Sequence, residues 1–312
     1  MSSRRRWLGW AATAALAPPW AGGAVAAAAP ATGPPLARTL PSTGEAVCPV
    51  GMGTWLTFDF DTGDPGLLAQ RRAVLQTFFA AGGQVVDSSP MYGHAEEALG
   101  LLLGPARAAV PQAAPLFCAT KVWTPVTALG RTQMQRSLDL WRLPRSDLMQ
   151  VHNLLNWRGH LATLREWRAA GRTRLVGITT SHGRAHDEVR AIVRSERLDA
   201  LQITYNPADR SAEPLIALAA DRGLAVLINR PFDGGAALSR LAGRPLPGLA
   251  RELGCASWAS FVLKWELSLP GVTCVIPATT RVDHMLQNMA ALQGPQPDAG
   301  LRARMLAAME AA

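Results

Sequence analysis

The sequence predicts an α/β protein, a (β/α)8 (TIM) barrel entered through a short N-terminal β-hairpin. Three observations lead there. From Pro49 onward, eight short runs rich in β-branched residues alternate with amphipathic helical runs, at a period of about 30 residues. Several of these strands end on a single polar or charged residue, as a parallel barrel requires where chemistry gathers at the C-terminal strand ends. The doubly wound alternative lacks its glycine fingerprint, because Leu56 stands where the third glycine after Gly51–Met52–Gly53 would fall.

The elements follow in order. Residues 1–28 read as an export signal: Ser3–Arg4–Arg5–Arg6–Trp7–Leu8 precedes an alanine-rich apolar run that ends in small-residue cleavage sites. Paired arginines before an aromatic residue and a leucine resemble the twin-arginine route. That implies the twin-arginine export machinery as a partner and a periplasmic, bacterial destination. Pro18, Pro19, Gly22 and Gly23 interrupt the run too early for a spanning helix of about 20 residues, so no stable membrane insertion is expected. Residues 29–37 form a Pro/Ala/Gly linker, and 38–312 the barrel. Arg38–Pro41 and Ala46–Cys48, joined by a Ser–Thr–Gly–Glu turn, make the hairpin.

Strands are expected at Pro49–Gly53, Val85–Asp87, Leu116–Lys121, Asp147–His152, Leu175–Ile178, Ala200–Ile203, Ala225–Ile228 and Val272–Ile276. Helices are expected over 67–81, 95–103, 129–143, 161–170, 186–194, 214–221, 249–267 and 282–292, the last closing the chain. Right-handed crossovers repeated in this way close a barrel.

At 312 residues and 48% hydrophobic content the chain can bury a large core. The net charge of +8 includes Arg4, Arg5 and Arg6, and the remaining arginines are spread along amphipathic helices. No lysine-rich tail or aromatic-interleaved basic stripe is present, which argues against nucleic acid. Cys48, Cys118, Cys255 and Cys274 show no metal-ligand spacing, so no metal site is expected; Cys118 and Cys274 read as core residues. The chain has two tyrosines, Tyr92 and Tyr205, and writes arginine nearly everywhere except at Lys121 and Lys264. A lysine kept beside an apolar strand suits chemistry in which a pKa must shift, which arginine cannot do.

Asp87 and Tyr92 follow the second barrel strand, Lys121 the third and His152 the fourth, with successive spacings of 5, 29 and 31 residues. In order, strand position and spacing this set resembles the Asp/Tyr/Lys/His tetrad of the aldo-keto reductase family, and the likeness runs from about Arg38 to the end of the chain. It implies NADP(H)-dependent reduction of aldehyde or ketone carbonyls, with Tyr92 as proton donor, Lys121 and Asp87 tuning it, and His152 orienting the carbonyl. The lysine is expected to lower the tyrosine pKa. Cofactor contacts implied by the resemblance are Gly53, Thr54, Trp55, Asp87, Thr179, Thr180, Gln202, Asn229, Arg230, Pro231, Phe232, Ala278, Thr279, Arg281, Gln287 and Asn288. Gln202 takes the carboxamide, and Gln287 and Asn288 the adenine.

Three positions depart from the family pattern. Thr179–Thr180 replace Ser–Asn. Asn229–Arg230–Pro231–Phe232 lacks the tyrosine that stacks on nicotinamide, where Arg230 is the alternative. The basic clamp for a 2′-phosphate is reduced to Arg281 with His284 nearby, which leaves NAD(H) open beside NADP(H). On the substrate side, Trp55, Trp123, His152 and Asn153 are expected to form an apolar pocket with one polar corner for a small carbonyl compound, with Phe58 and Trp157 as further candidates. The rival reading is a nucleotide-binding barrel that acts as a redox sensor or partner protein with little turnover.

Overall fold

A computed structural model describes residues 36–312; the export signal and nearly all of the linker expected before Arg38 lie outside the described residues. The hairpin pairs β1 (Arg38–Thr39) with β2 (Ala46–Val47) in antiparallel register. Eight parallel strands follow in sequential order: β3 (Met52–Gly53), β4 (Val85–Asp87), β5 (Phe117–Val122), β6 (Ser146–His152), β7 (Thr173–Thr179), β8 (Ala200–Thr204), β9 (Ala225–Asn229) and β10 (Val272–Val275). A parallel bridge between Val50 and Val275 joins the first of these to the last, with Gly51 N donating to Val275 O at 2.8 Å and Val275 N to Pro49 O at 2.9 Å. Each barrel strand begins or ends within a few residues of its expected position.

Local chemistry starts and stops the elements. The first helix, α1 (Pro65–Ala80), has Pro65 in its first turn and the Asp64 carboxylate accepting from Gly66 N and Leu67 N. After it, Gly83 lies so close to the Phe78 ring that a Cβ would fall 2.2 Å from it, so the turn into β4 has room only for glycine. The barrel strands bury both faces, and their near-continuous apolar runs reflect this.

Leu40 and Val47 from the hairpin pack on Val85, Phe117, Leu148, Leu175, Ala200 and Ala225. Four of these are the opening residues of β4, β5, β8 and β9. The hairpin therefore plugs the N-terminal end of the barrel and leaves the C-terminal end as the open one.

The surrounding helices are α2 (Ala95–Ala108), α3 (Thr127–Trp141), α4 (Trp157–Ala169), α5 (His186–Ser195), α6 (Glu213–Asp221), α7 (Ala236–Leu241), α8 (Gly248–Glu252), α9 (Trp258–Leu267), α10 (Val282–Met289) and α11 (Ala299–Glu310). Two departures from expectation stand out. The single helix expected over 249–267 is broken into α8 and α9, because Gly254 turns left-handed and Ser257 recaps the chain in a reciprocal capping box with Ser260. The chain does not close at 282–292, since α11 follows. That helix is held by tertiary contacts that no local pattern announces: Arg302 lies 4.4 Å above the Trp265 ring, bonds Glu213 at 3.0 Å and accepts the Trp265 indole N–H through its carbonyl.

All four cysteines are buried and free. Among the described residues no helix is long and apolar enough to cross a membrane, and no cluster of three His, Cys, Asp or Glu could hold a metal.

Candidate active site

Alternation along the strands selects which side chains enter the barrel. In β5, Thr120 turns outward to the buried Glu96 of α2 at 2.6 Å, while Lys121 turns inward. Register places Lys121 beside Gln150 of β6, and His152 beside Thr179 of β7. Three neighbouring strands, β5, β6 and β7, thus deliver a polar layer just below the open end.

At its centre the Lys121 ammonium lies 2.6 Å from Asp87 Oδ2 and donates to the Ser88 carbonyl at 2.7 Å. Both members of the pair are buried, Lys121 at 0% and Asp87 at 2% exposure. A pair so desolvated persists only if its remaining valences are met. Gln202 donates to Asp87 Oδ1 at 2.8 Å and Gln150 at 3.3 Å, while Thr54 hydrogen-bonds the Asp87 carbonyl and the Ser88 hydroxyl. Gln150 was not among the residues expected from sequence. Its signal was present, since it lies two positions before His152 and so on the same face of the strand, polar within an apolar run.

Tyr92 is half-buried above this pair, its ring centroid 5.2 Å from Lys121 Nζ and 5.9 Å from the His152 ring, edge-on at 84°. The tetrad expected from sequence is therefore assembled in one place. Its electrostatics differ from expectation in one respect. Lys121 does pull the Tyr92 pKa down, but burial pushes it up more strongly and Asp87 adds to the rise, so the net shift is upward. Burial opposes the Lys121 charge, yet Asp87 and then Tyr92 outweigh it and raise the lysine pKa. His152 is lowered to about 2, chiefly by burial and then by the charges of Lys121 and Arg184. The free site at neutral pH thus holds a protonated phenol, an ammonium and a neutral imidazole.

The other expected residues are distributed around the rim. Trp55 and Trp123 are each 40% exposed at the mouth, and the Arg230 guanidinium lies 5.8 Å from the Trp55 ring, so the loops after β3 and β9 face each other. Arg230 also pairs with Asp233. Asn153 adopts a left-handed conformation beside Ser181. Phe58 is fully buried in the core and so does not line the mouth as expected, while Trp157 opens α4 with its indole N–H on Glu188. Gly53 packs against the loop after β10, where a Cβ would meet Ile276 O at 2.8 Å.

Gln202 is already engaged, donating to Asp87 and accepting from Thr179 at 3.2 Å. Asn229 donates to the Thr180 carbonyl at 2.8 Å, and the buried Thr180 hydroxyl has no partner among the described residues. Pro231, Phe232, Thr279 and Asn288 are buried, whereas Ala278, Arg281 and Gln287 are exposed. Arg281 grips Asp283 through two hydrogen bonds, 3.0 and 2.6 Å.

Comparison with known proteins agrees with this architecture. The chain is similar to the holo form of an aldo-keto reductase from Bacillus halodurans, at 19% identity and a TM-score of 0.71, over 88% of this chain and 96% of that one. It is similar to a Bombyx mori aldo-keto reductase in complex with NADP, at 22% identity and 0.69, over 88% and 92%. It also resembles an aldo/keto reductase from Klebsiella pneumoniae in complex with NADP and acetate, at 21% and 0.68, over 86% and 93%. At such identities these likenesses speak for the fold. No curated protein matches the chain. The sequence pattern of the Aldo/keto reductase family, however, matches residues 49–300, which include every strand of the barrel and all four residues clustered at its mouth. The chain belongs to the aldo/keto reductase family.

Proposed function

We propose that the protein reduces aldehyde or ketone carbonyls with NADPH, with Tyr92 as the proton donor. The carrying observation is the buried Lys121–Asp87 pair beneath a protonated phenol that stands edge-on to a neutral imidazole. The nucleotide complexes of the Bombyx mori and Klebsiella pneumoniae relatives support the choice of cofactor.

The residues present fit a nicotinamide group. The Thr180 hydroxyl is a buried polar group with no partner among the described residues, and such groups ordinarily find one. Thr179, Thr180, Gln202 and Asn229 would hold the carboxamide end, with Trp55 and Arg230 on either side of the mouth. When bound, the reduced nucleotide supplies the hydride. The chain's own residues do the rest. His152 donates to the carbonyl oxygen and orients it. Tyr92 Oη releases its proton to that oxygen as negative charge develops there. Lys121 stabilises the phenolate left behind, and Asp87, held by Gln150 and Gln202, keeps Lys121 charged and in place. Trp55, Trp123 and the exposed Leu56 and Met91 give the entrance an apolar wall suited to aromatic or aliphatic carbonyl compounds.

The test is consumption of NADPH, followed by absorbance, against a panel of aromatic and aliphatic aldehydes, with NADH in parallel. Turnover faster with NADPH supports the reading. Tight nucleotide binding without turnover across the panel overturns it in favour of a sensor or partner role. Because Arg281 is paired with Asp283, a 2′-phosphate has to compete for it, so the expected NADPH advantage is modest.

Export by the twin-arginine route to the periplasm is part of the same proposal. It rests on Arg4–Arg5–Arg6–Trp7–Leu8 and the small-residue run that follows. Replacing Arg4 and Arg5 with lysine is expected to retain the protein in the cytoplasm of a bacterial host, measured by fractionation and immunoblot. Undiminished periplasmic protein in that variant overturns the route.

A further inference from the structure

Ser89 lies two residues beyond Asp87 and is completely buried, yet its side chain has no part in the tetrad. Its hydroxyl oxygen is 2.9 Å from His152 Nδ1 and accepts the Met91 N–H at 3.3 Å. Its carbonyl accepts the Tyr92 N–H at 3.0 Å. One residue therefore ties the turn that carries Tyr92 to the imidazole on the neighbouring strand system.

The hydroxyl has one proton and two lone pairs. Met91 N–H occupies one lone pair. If the imidazole proton sat on Nδ1, it would occupy the other, and the hydroxyl proton would need a further acceptor. Among the described residues Ser89 Oγ has no third partner. If Ser89 instead donates to an unprotonated Nδ1, every group is satisfied, and in a buried site satisfaction decides. A neutral imidazole carries a single ring proton, which then resides on Nε2, across the ring from Ser89.

We infer that Ser89 is a positioning residue that fixes His152 in the Nε2–H tautomer, so that the imidazole presents a donor rather than a lone pair to the substrate carbonyl. This rests on the proposed carbonyl reduction. The opposite tautomer would set a lone pair against the oxygen on which negative charge develops. In serine proteases a carboxylate accepts the Nδ1–H of the catalytic histidine and so fixes the opposite tautomer, leaving a lone pair at Nε2 for a base; a hydroxyl that donates to Nδ1 leaves a proton there.

The experiment is heteronuclear NMR of the full chain labelled with 15N-histidine. The six histidines are assigned for His152 through a His152→Gln variant. In the wild type, Nδ1 is expected to be unprotonated and Nε2 protonated. In Ser89→Ala that preference is expected to be lost, kcat for an aromatic aldehyde to fall about tenfold, and the NADPH dissociation constant to stay unchanged. Ser89→Thr, which restores a hydroxyl, is expected to recover both the tautomer and most of kcat.

A wild-type spectrum with the proton on Nδ1 overturns the inference without any variant. So does a fall in kcat for Ser89→Ala with the tautomer unchanged, which makes Ser89 a structural residue only. If the wild type turns over no carbonyl compound, the functional reading fails, while the spectra still decide the tautomer.

Discussion

Tyr92→Phe is expected to leave the NADPH dissociation constant within about twofold of wild type and to lower carbonyl turnover by about 10²–10⁴-fold, the usual contribution of a positioned proton donor. The substitution removes one hydroxyl from a half-buried ring and keeps its edge-on contact with His152, so the fold and the mouth should be unchanged. The size of the loss follows from the balance of the step. Reduction adds hydride to carbon and a proton to oxygen, and without the phenol the proton must come from water, which is poorly placed. Burial raises the Tyr92 pKa, so the phenol remains loaded throughout the neutral range, and reduction by the wild type should persist to pH values at which an exposed tyrosine begins to ionise. Single-turnover rates with an aromatic aldehyde, together with fluorescence titration of NADPH, check both halves. Undiminished reduction by the Phe variant would remove Tyr92 from the role.

Lys121→Met is expected to damage stability and chemistry together, and the two effects separate cleanly. The Asp87 carboxyl would be left buried with two amides but no cation. Removing one partner of a buried ion pair typically destabilises by about 3–5 kcal/mol. A large drop in the urea midpoint should follow. Adding Asp87→Asn removes the stranded charge and should restore much of that stability while activity stays low.

The chemical effect has a definite sign. Lys121 lowers the Tyr92 pKa against the push of burial, so its loss lets that pKa rise further. In the direction of alcohol oxidation, where the phenolate accepts the proton, the rise in rate with pH should move to higher pH in the Met variant. A pH profile identical to that of wild type would show that Lys121 and Tyr92 are uncoupled.

How far the site was legible depends on the range of the signal. Asp87, Lys121 and His152 are polar residues at the ends of apolar runs, which are written locally, and Tyr92, in the loop after Asp87, joined them through the resemblance of the four in order and spacing to the family tetrad. Gln150 was passed over because it sits inside a run that looks like ordinary core, although alternation from His152 marks it. Ser89 is of a residue type common in turns, and half of its role is that, since its hydroxyl accepts the Met91 N–H. The other half, its bond to His152, joins residues far apart in the chain and exists only once β4 and β6 are neighbours of β5. Phe58 was misplaced for the complementary reason. An aromatic residue after a strand can turn inward or onto the next helix, and packing alone chooses.

By itself the sequence determined the alternation of strands and helices, the barrel that eight such units make, and the order of the chemical groups at its mouth. These depend on side-chain periodicity and on residues at element boundaries, which a linear chain carries in full. Only the tertiary structure decided where the helix over 249–267 breaks and what holds α11, because Arg302, Trp265 and Glu213 meet through packing. It also decided the direction of the Tyr92 pKa. The sequence supplies the lysine that lowers it, but the opposing push comes from desolvation, and how much water a phenol loses is set by every element closed around it.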